Sequence, residues 1–385
     1  MEHATVVILG GGVGGLVCAN ELSKRLDRRH RIVLMDREAY HTFSPSLLWL
    51  SVGTRKPSDF RRGLNVLERK GVEVVTAEIQ RIDPERREVQ AGGQEWSSEY
   101  LVVSPGAELA PQQVPGLPES GHNLYALEGA TAIRDARQQL QSGRIVVLVT
   151  RTPFKCPAAP YEEIMLLEYD ARKRKVRGNM EFAIYTPEPG PMPVAGPEVS
   201  AGVRRLLEER GISYFPQHPV QDVDPIKRCI HFANGAEAAY DFLIFIPPHI
   251  APKVVQEAGL TGASGWVPVN KHTLETQYSQ VYALGDVTGI PLAVGMPLPK
   301  AGVFAHGEAE VVAHNIVLQL EGHHGQATTF NGHGECFVEV GDGKAAFGRG
   351  NFYAEPQPQV RLYGAGRHWH AAKVLFEKDW QRRWF

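Results

Sequence analysis

A glycine-rich turn between a strand and a helix constrains this chain more than any other feature. Residues 5–9, Thr-Val-Val-Ile-Leu, form a continuous apolar run, the pattern of a strand buried on both faces. Gly10, Gly12 and Gly15 follow in GxGxxG spacing, and a helical pattern occupies residues 16–25. A second strand pattern over 31–35 ends at Asp36, 21 residues past Gly15. Together they predict a βαβ unit that binds a dinucleotide. The glycines let the backbone approach a pyrophosphate, the helix N-terminus meets its charge, and the acid reaches a ribose hydroxyl. Cys18, one turn into the helix, reads as a small buried core residue.

The strand pattern returns at residues 144–150, but its turn is different. Arg151-Thr-Pro-Phe-Lys-Cys156-Pro-Ala-Ala-Pro-Tyr-Glu162 has three prolines and no glycine. Proline deletes the N–H groups that a phosphate cradle needs, although Arg151 and Lys155 supply positive charge. A helix is predicted near 160–175, a strand at 180–185, a loop at 187–197 and an amphipathic helix over 198–210 ended by Gly211. Residues 229–235 alternate and turn like a hairpin, which makes Cys229 structural. The fold class predicted is α/β, with tandem Rossmann-like domains plus a small C-terminal region. Residues 1–108 and 262–325 form the first domain. Residues 109–261 form an inserted nucleotide-type domain without the glycine loop, and 326–385 the C-terminal region.

The 385 residues suffice for two or three domains with full cores. The net charge of −2 and the lack of a basic tract argue against nucleic acid. No apolar run reaches membrane-spanning length, and a strand starting by Thr5 leaves no room for a signal peptide, so a cytoplasmic chain is expected. Four cysteines are too few for a disulfide scaffold, so any disulfide here is expected to be catalytic. The histidines, including His323, His324, His368 and His370, lack a metal-ligand set, and no metal is expected.

Residues 280–287, Gln-Val-Tyr-Ala-Leu-Gly-Asp286-Val, resemble the second flavin-contact motif of two-dinucleotide-domain flavoproteins. That resemblance implies FAD, with Asp286 facing the ribityl chain. Residues 100–103 followed by Ser-Pro-Gly106-Ala resemble the strand that returns to the flavin, with Pro105 where threonine is usual. Three further segments resemble the sulfide:quinone oxidoreductases: residues 152–162, Phe43-Ser-Pro-Ser-Leu-Leu-Trp49, and Trp369-His-Ala-Ala-Lys-Val-Leu-Phe-Glu-Lys378. The flavoprotein subunit of flavocytochrome c sulfide dehydrogenase is similar too, and the resemblance covers essentially the whole chain. It implies that Cys156 and Cys336 form a redox-active disulfide beside the isoalloxazine ring. Hydrosulfide would attack one sulfur, leaving a persulfide and a thiolate, and two electrons would pass to FAD and on to a membrane quinone. Which cysteine receives hydrosulfide stays open; the reading favours Cys336, with Cys156 next to the flavin.

The chain departs from these families at two places. No third cysteine stands near residues 122–127, so a polysulfide shuttle over three thiols is unsupported. None stands in residues 40–45, where the flavocytochrome subunit attaches FAD, so non-covalent FAD and a quinone acceptor are expected. For Glu162 the resemblance suggests a proton carrier, whereas a helix-first-turn acid favoured by the dipole is the competing reading. Lys300, ahead of a helix predicted over 303–320, is placed by the resemblance at the flavin pyrimidine edge, where it would stabilise anionic reduced flavin. A surface lysine is the alternative. A type II NADH:quinone dehydrogenase is the rival enzyme and needs the missing second glycine loop. A flavin-binding protein without catalysis is the rival of another class.

In residues 368–385, Trp369, Phe376, Trp380 and Trp384 share one helical face, with Lys373, Lys378, Arg382 and Arg383 supplying charge. The helix reads as an anchor on the lipid bilayer surface, burial of the four side chains contributing roughly 6–12 kcal/mol gross. Packing on the protein's own core or on a dimer partner is the alternative, and a homo-oligomer is left open. Quinone is expected among apolar residues between Phe337 and Phe376.

Overall fold

The computed structural model describes residues 3–322 and 325–385. Strand β1 (Thr5–Leu9) leads through the glycine turn into helix α1 (Val13–Arg25), then β2 (Arg31–Asp36), β3 (Val72–Thr76) and β4 (Tyr100–Val103). A second set follows: β5 (Gly143–Val149), α2 (Ala159–Lys173), β6 (Met180–Tyr185), α3 (Pro197–Glu208), β7 (Ser213–Phe215) and β8 (Phe242–Ile246). The chain then forms β9 (Val281–Ala283) and α4 (Gly302–Glu321). It ends in β10 (His333–Gly341), β11 (Lys344–Asn351), β12 (Gln359–Gly366) and α5 (Arg367–Trp384).

One parallel sheet has the order β9-β4-β1-β2-β3. The second, also parallel, runs from the short strand His122–Asn123 through β8, β5 and β6 to β7. β9 joins the first sheet across more than 170 residues of intervening chain, as the edge strand beside β4. Both central strands are buried throughout their apolar runs, as sheets covered on two faces require. The antiparallel sheet β10-β11-β12 packs on α2 and carries α5.

Local chemistry sets the helix bounds. α1 starts three residues before the predicted position, with Gly12 as its cap, so the glycine turn and helix start are one structure. Pro160 lies in the first turn of α2, where its missing N–H costs nothing. α3 buries Val199, Val203 and Leu207, one face at four-residue steps. α4 ends at Gly322 in the left-handed conformation.

The C-terminal helix corrects the expectation of a four-residue membrane face. Trp380 and Trp384 are 3% and 1% exposed and belong to the core shared with α1 and α4. Trp380 Nε1 donates to His41 Nε2 at 3.3 Å, and the His306 ring meets both indoles edge-on. Lys373 is buried as well, in an ion pair with Glu162. Helical periodicity aligns side chains on one face, but only the tertiary neighbours decide what covers it. The large apolar side chains of α5 that stay open are Leu375 and Phe376, 65% and 46% exposed. Among the described residues no helix is long and apolar enough to cross a membrane.

Candidate active site

Three turns meet where adjacent strands of the first sheet end. They follow β1 (residues 10–15), β4 (104–106) and β9 (285–287). Gly10 has φ +99°, and a Cβ there or at Gly15 would collide with the backbone oxygen of Ser104 or Gly10. Gly12 and Gly106 are different: nothing lies within 4 Å of where a Cβ would be, so both border open space. The N-terminus of α1 has no side-chain cap, which leaves its N–H groups for a ligand. Asp36 stands beside the turn, Oδ2 accepting from Gly11 N at 2.5 Å and Oδ1 from Glu38 N at 2.7 Å. An uncapped helix start, an acid at the end of β2 and two open glycines fit a dinucleotide.

Asp286 is close to two lysines, the buried Lys300 and the half-buried Lys155. Burial raises its carboxyl, and Lys300 and Lys155 pull it back. Lys300 is not the surface lysine of the alternative reading. Its Nζ donates to Asp286 O at 2.6 Å and Thr288 O at 3.0 Å and lies 3.3 Å from the Trp266 ring centroid. Burial brings its ammonium down to about 8, against the pull of Asp286 and Glu308.

The proline-rich turn after β5 crosses this region. Cys156 adopts φ +50°, its N–H donates to Lys300 O at 2.7 Å, and its own carbonyl accepts from Tyr125 Oη at 3.2 Å. Lys300 therefore holds both the Asp286 carbonyl and the Cys156 amide. Cys336 comes from β10, opposite Gly348 of β11, and its thiol donates to Phe337 O at 3.2 Å. Both cysteines are free thiols, and both line one largely apolar cavity of about 280 Å³. Burial pushes Cys156 up to about 12, with Glu162 adding and Lys373 opposing. Burial also raises Cys336, helped by Cys156 and Glu162 and again opposed by Lys373.

Glu162, in the first turn of α2, is fully enclosed. Its Oε1 accepts from Lys373 Nζ at 2.6 Å and from Glu339 N at 2.8 Å. Glu339, also buried, holds His370 Nδ1 at 2.9 Å. A charged row thus runs from the thiols through Glu162, Lys373 and Glu339 to the half-exposed His370. Lys373, Glu339 and Glu188 were absent from the predicted site. Lys373 read as a surface charge on a basic helix, and nothing in the sequence pairs it with Glu162, 211 residues away.

Among the described residues no group of three or more His, Cys, Asp or Glu side chains is placed to hold a metal ion. His323 and His324 lie outside the described residues.

Residues 4–148 match the family described as Pyridine nucleotide-disulphide oxidoreductase. Over 392 residues the chain is 29% identical to the sulfide-quinone reductase of Aquifex aeolicus, covering 97% of this chain and 89% of that protein. It is 24% identical to the mitochondrial sulfide:quinone oxidoreductase of Mus musculus, over 92% of this chain and 80% of the other. The X-ray structure of the Aquifex aeolicus sulfide:quinone oxidoreductase superposes with a TM-score of 0.90 at 27% identity, covering 99% of this chain and 91% of that one. Matched along nearly its whole length in sequence and in fold, the chain is a flavin-dependent oxidoreductase homologous to the sulfide:quinone oxidoreductases.

Proposed function

We propose that this enzyme oxidises sulfide to sulfane sulfur through Cys156 and Cys336 and passes the electrons through FAD to a membrane quinone. The observation that carries the reading is that two thiols from distant segments share one apolar cavity whose wall, around Lys300, also anchors Asp286 of the dinucleotide crevice. Gly10, Gly12, Gly15, Asp36, Gly106 and Asp286 would hold FAD, in a unit made of residues 1–108 and 262–325. The insert, 109–261, contributes Cys156, and the C-terminal region, 326–385, contributes Cys336. FAD, when bound, supplies the two-electron acceptor for sulfur oxidation and the donor for quinone.

The protein's own part is sulfur exchange. Hydrosulfide attacks one sulfur of the oxidised pair; the cysteine–cysteine bond breaks as the new S–S bond forms, leaving a persulfide and a thiolate. Closing the thiolate onto the persulfide sulfur makes a trisulfide and releases one proton and two electrons. The buried thiolate needs a cation, and Lys373 is the one that lowers both thiols. Glu162 fixes that ammonium through a buried ion pair and, close enough to raise both thiols, is a carboxylate that can take the released proton. Lys300, tied to two carbonyls, holds the Asp286 turn and places positive charge at the crevice. Leu375 and Phe376 would rest on the bilayer surface from which quinone is drawn.

Anaerobic flavin bleaching tests the proposal. Sulfide is expected to bleach the yellow protein within seconds and NADH to leave it oxidised. Cys156→Ser and Cys336→Ser should each lose sulfide-driven bleaching. Bleaching by NADH alone, or undiminished bleaching by sulfide in Cys156→Ser, would overturn it.

A further inference from the structure

The wall of the thiol cavity contains a buried acid other than Glu162. Glu188, in the loop after β6, is 5% exposed and lines the cavity with Cys156 and Cys336. Pro187 and Pro189 flank it, so neither neighbour offers an N–H. Its position is set instead by side chains and one backbone bond. Oε2 accepts from Tyr161 Oη at 2.6 Å and Thr186 Oγ1 at 3.0 Å, and Glu188 O accepts from Gln217 N at 3.0 Å. Oε1 has no hydrogen-bond partner among the described residues. A carboxylate that lines a largely apolar cavity, held by one oxygen with the other unengaged, is arranged to exchange a proton with what enters.

We propose that Glu188 is the general base of this cavity, taking a proton from dihydrogen sulfide and releasing hydrosulfide beside the two cysteines. The inference rests on the sulfide reading above. In the step the H–S bond breaks, an O–H bond forms on the carboxylate, and the electron pair stays on sulfur, with no change of oxidation state. The need for such a base follows from the cavity. Neutral dihydrogen sulfide enters an apolar space at small cost, whereas the hydrosulfide anion pays for desolvation. Yet only the anion is the effective nucleophile toward sulfur. The proton must therefore leave inside the cavity.

The other groups facing this space do not serve. Cys156 and Cys336 are thiols raised by burial, and Lys300 points its ammonium at carbonyls. Glu335 lines the cavity but is exposed. Tyr161 donates to Glu188, and burial raises Tyr214 behind it, so neither phenol is a base. For Glu188 burial outweighs the two hydroxyl donors and sets the carboxyl at about 7, where it is partly ionised at neutrality.

Stopped-flow flavin reduction by sulfide across pH 5.5–9 tests this in the flavin-loaded protein. The wild-type second-order rate should peak near neutrality, where ionised Glu188 and neutral dihydrogen sulfide coexist. Glu188→Gln should be slower by about 100-fold at the peak and should rise with pH without a maximum, as solvent hydrosulfide becomes the only source. Tyr161→Phe, which removes one donor and adds no volume, should keep the maximum but move it to higher pH. A Gln variant with wild-type rate and maximum, or a Phe variant with an unmoved maximum, would overturn the assignment. A wild-type protein that sulfide does not reduce at any pH would instead overturn the sulfide reading itself.

Discussion

Replacing Lys373 by methionine separates the value of the Glu162–Lys373 pair from the cost of breaking it. The ions are 2.6 Å apart with side chains 7% and 2% exposed. At that distance and an effective dielectric near 20, their attraction is about 6 kcal/mol. Desolvating two ions takes back several kcal/mol each, so the intact pair adds little net stability. Methionine keeps the length and apolar stem of the side chain but strands a buried carboxylate whose remaining donor is Glu339 N. The expected loss is about 3–5 kcal/mol. The double variant Glu162→Gln/Lys373→Met carries neither charge and retains an oxygen for Glu339 N. It should be more stable than Lys373→Met alone by at least about 1 kcal/mol. Urea unfolding followed by tryptophan fluorescence is suited to this, because three of the six tryptophans lie on α5. Lys373→Met should also slow alkylation of Cys156 and Cys336, since Lys373 lowers both thiols. A single variant within about 1 kcal/mol of wild type, or strictly additive effects in the double variant, would refute a buried pair.

Other predictions probe the remaining surfaces of the molecule. Leu375→Asp/Phe376→Asp should release the protein from liposomes by about 100-fold or more, since burying both side chains is worth roughly 3–6 kcal/mol gross; unchanged sedimentation with lipid would remove α5 as the contact. Gly12→Ala has room for its methyl and should fold normally but retain flavin poorly, whereas Gly15→Ala should lose both fold stability and flavin; equal flavin content in wild type and Gly12→Ala would place the cofactor elsewhere. Burial raises Glu163 from its ordinary 4.5 to about 8, opposed by Ser51. The folded state therefore binds more protons between those values, and stability is full below 4.5 and falls as pH rises through about 8, by up to about 1.4 kcal/mol per pH unit. Glu163→Gln should flatten that slope between pH 5 and 8 in urea midpoints, and an identical slope in the variant would exclude Glu163 as its source.

The βαβ start, the parallel strands and most helices were legible in the chain because their signals are local. An apolar run of five residues, glycines at fixed spacing and a proline in a first turn each act within one or two turns of backbone. The resemblance of residues 280–287 to a flavin-contact motif put β9 with the first domain, and there it pairs with β4. The absence of glycine after β5 was equally local, and it correctly marked that turn as unlike the first.

Only tertiary structure decided which side chains face one another. Cys156 and Cys336 are 180 residues apart, and their common cavity depends on a C-terminal sheet packing over α2. Lys373 and Trp380 carry the periodicity and charge of a membrane-facing helix, yet one pairs with Glu162 and the other packs on His41. Glu188 sits between prolines in a loop with no motif, and its environment comes from Tyr161 on another element. Periodicity and turn chemistry fix how a segment folds because they act through neighbouring backbone bonds. Burial, pairing and proton affinity depend on what approaches through space, and those distances exist only once the sheets and helices have docked.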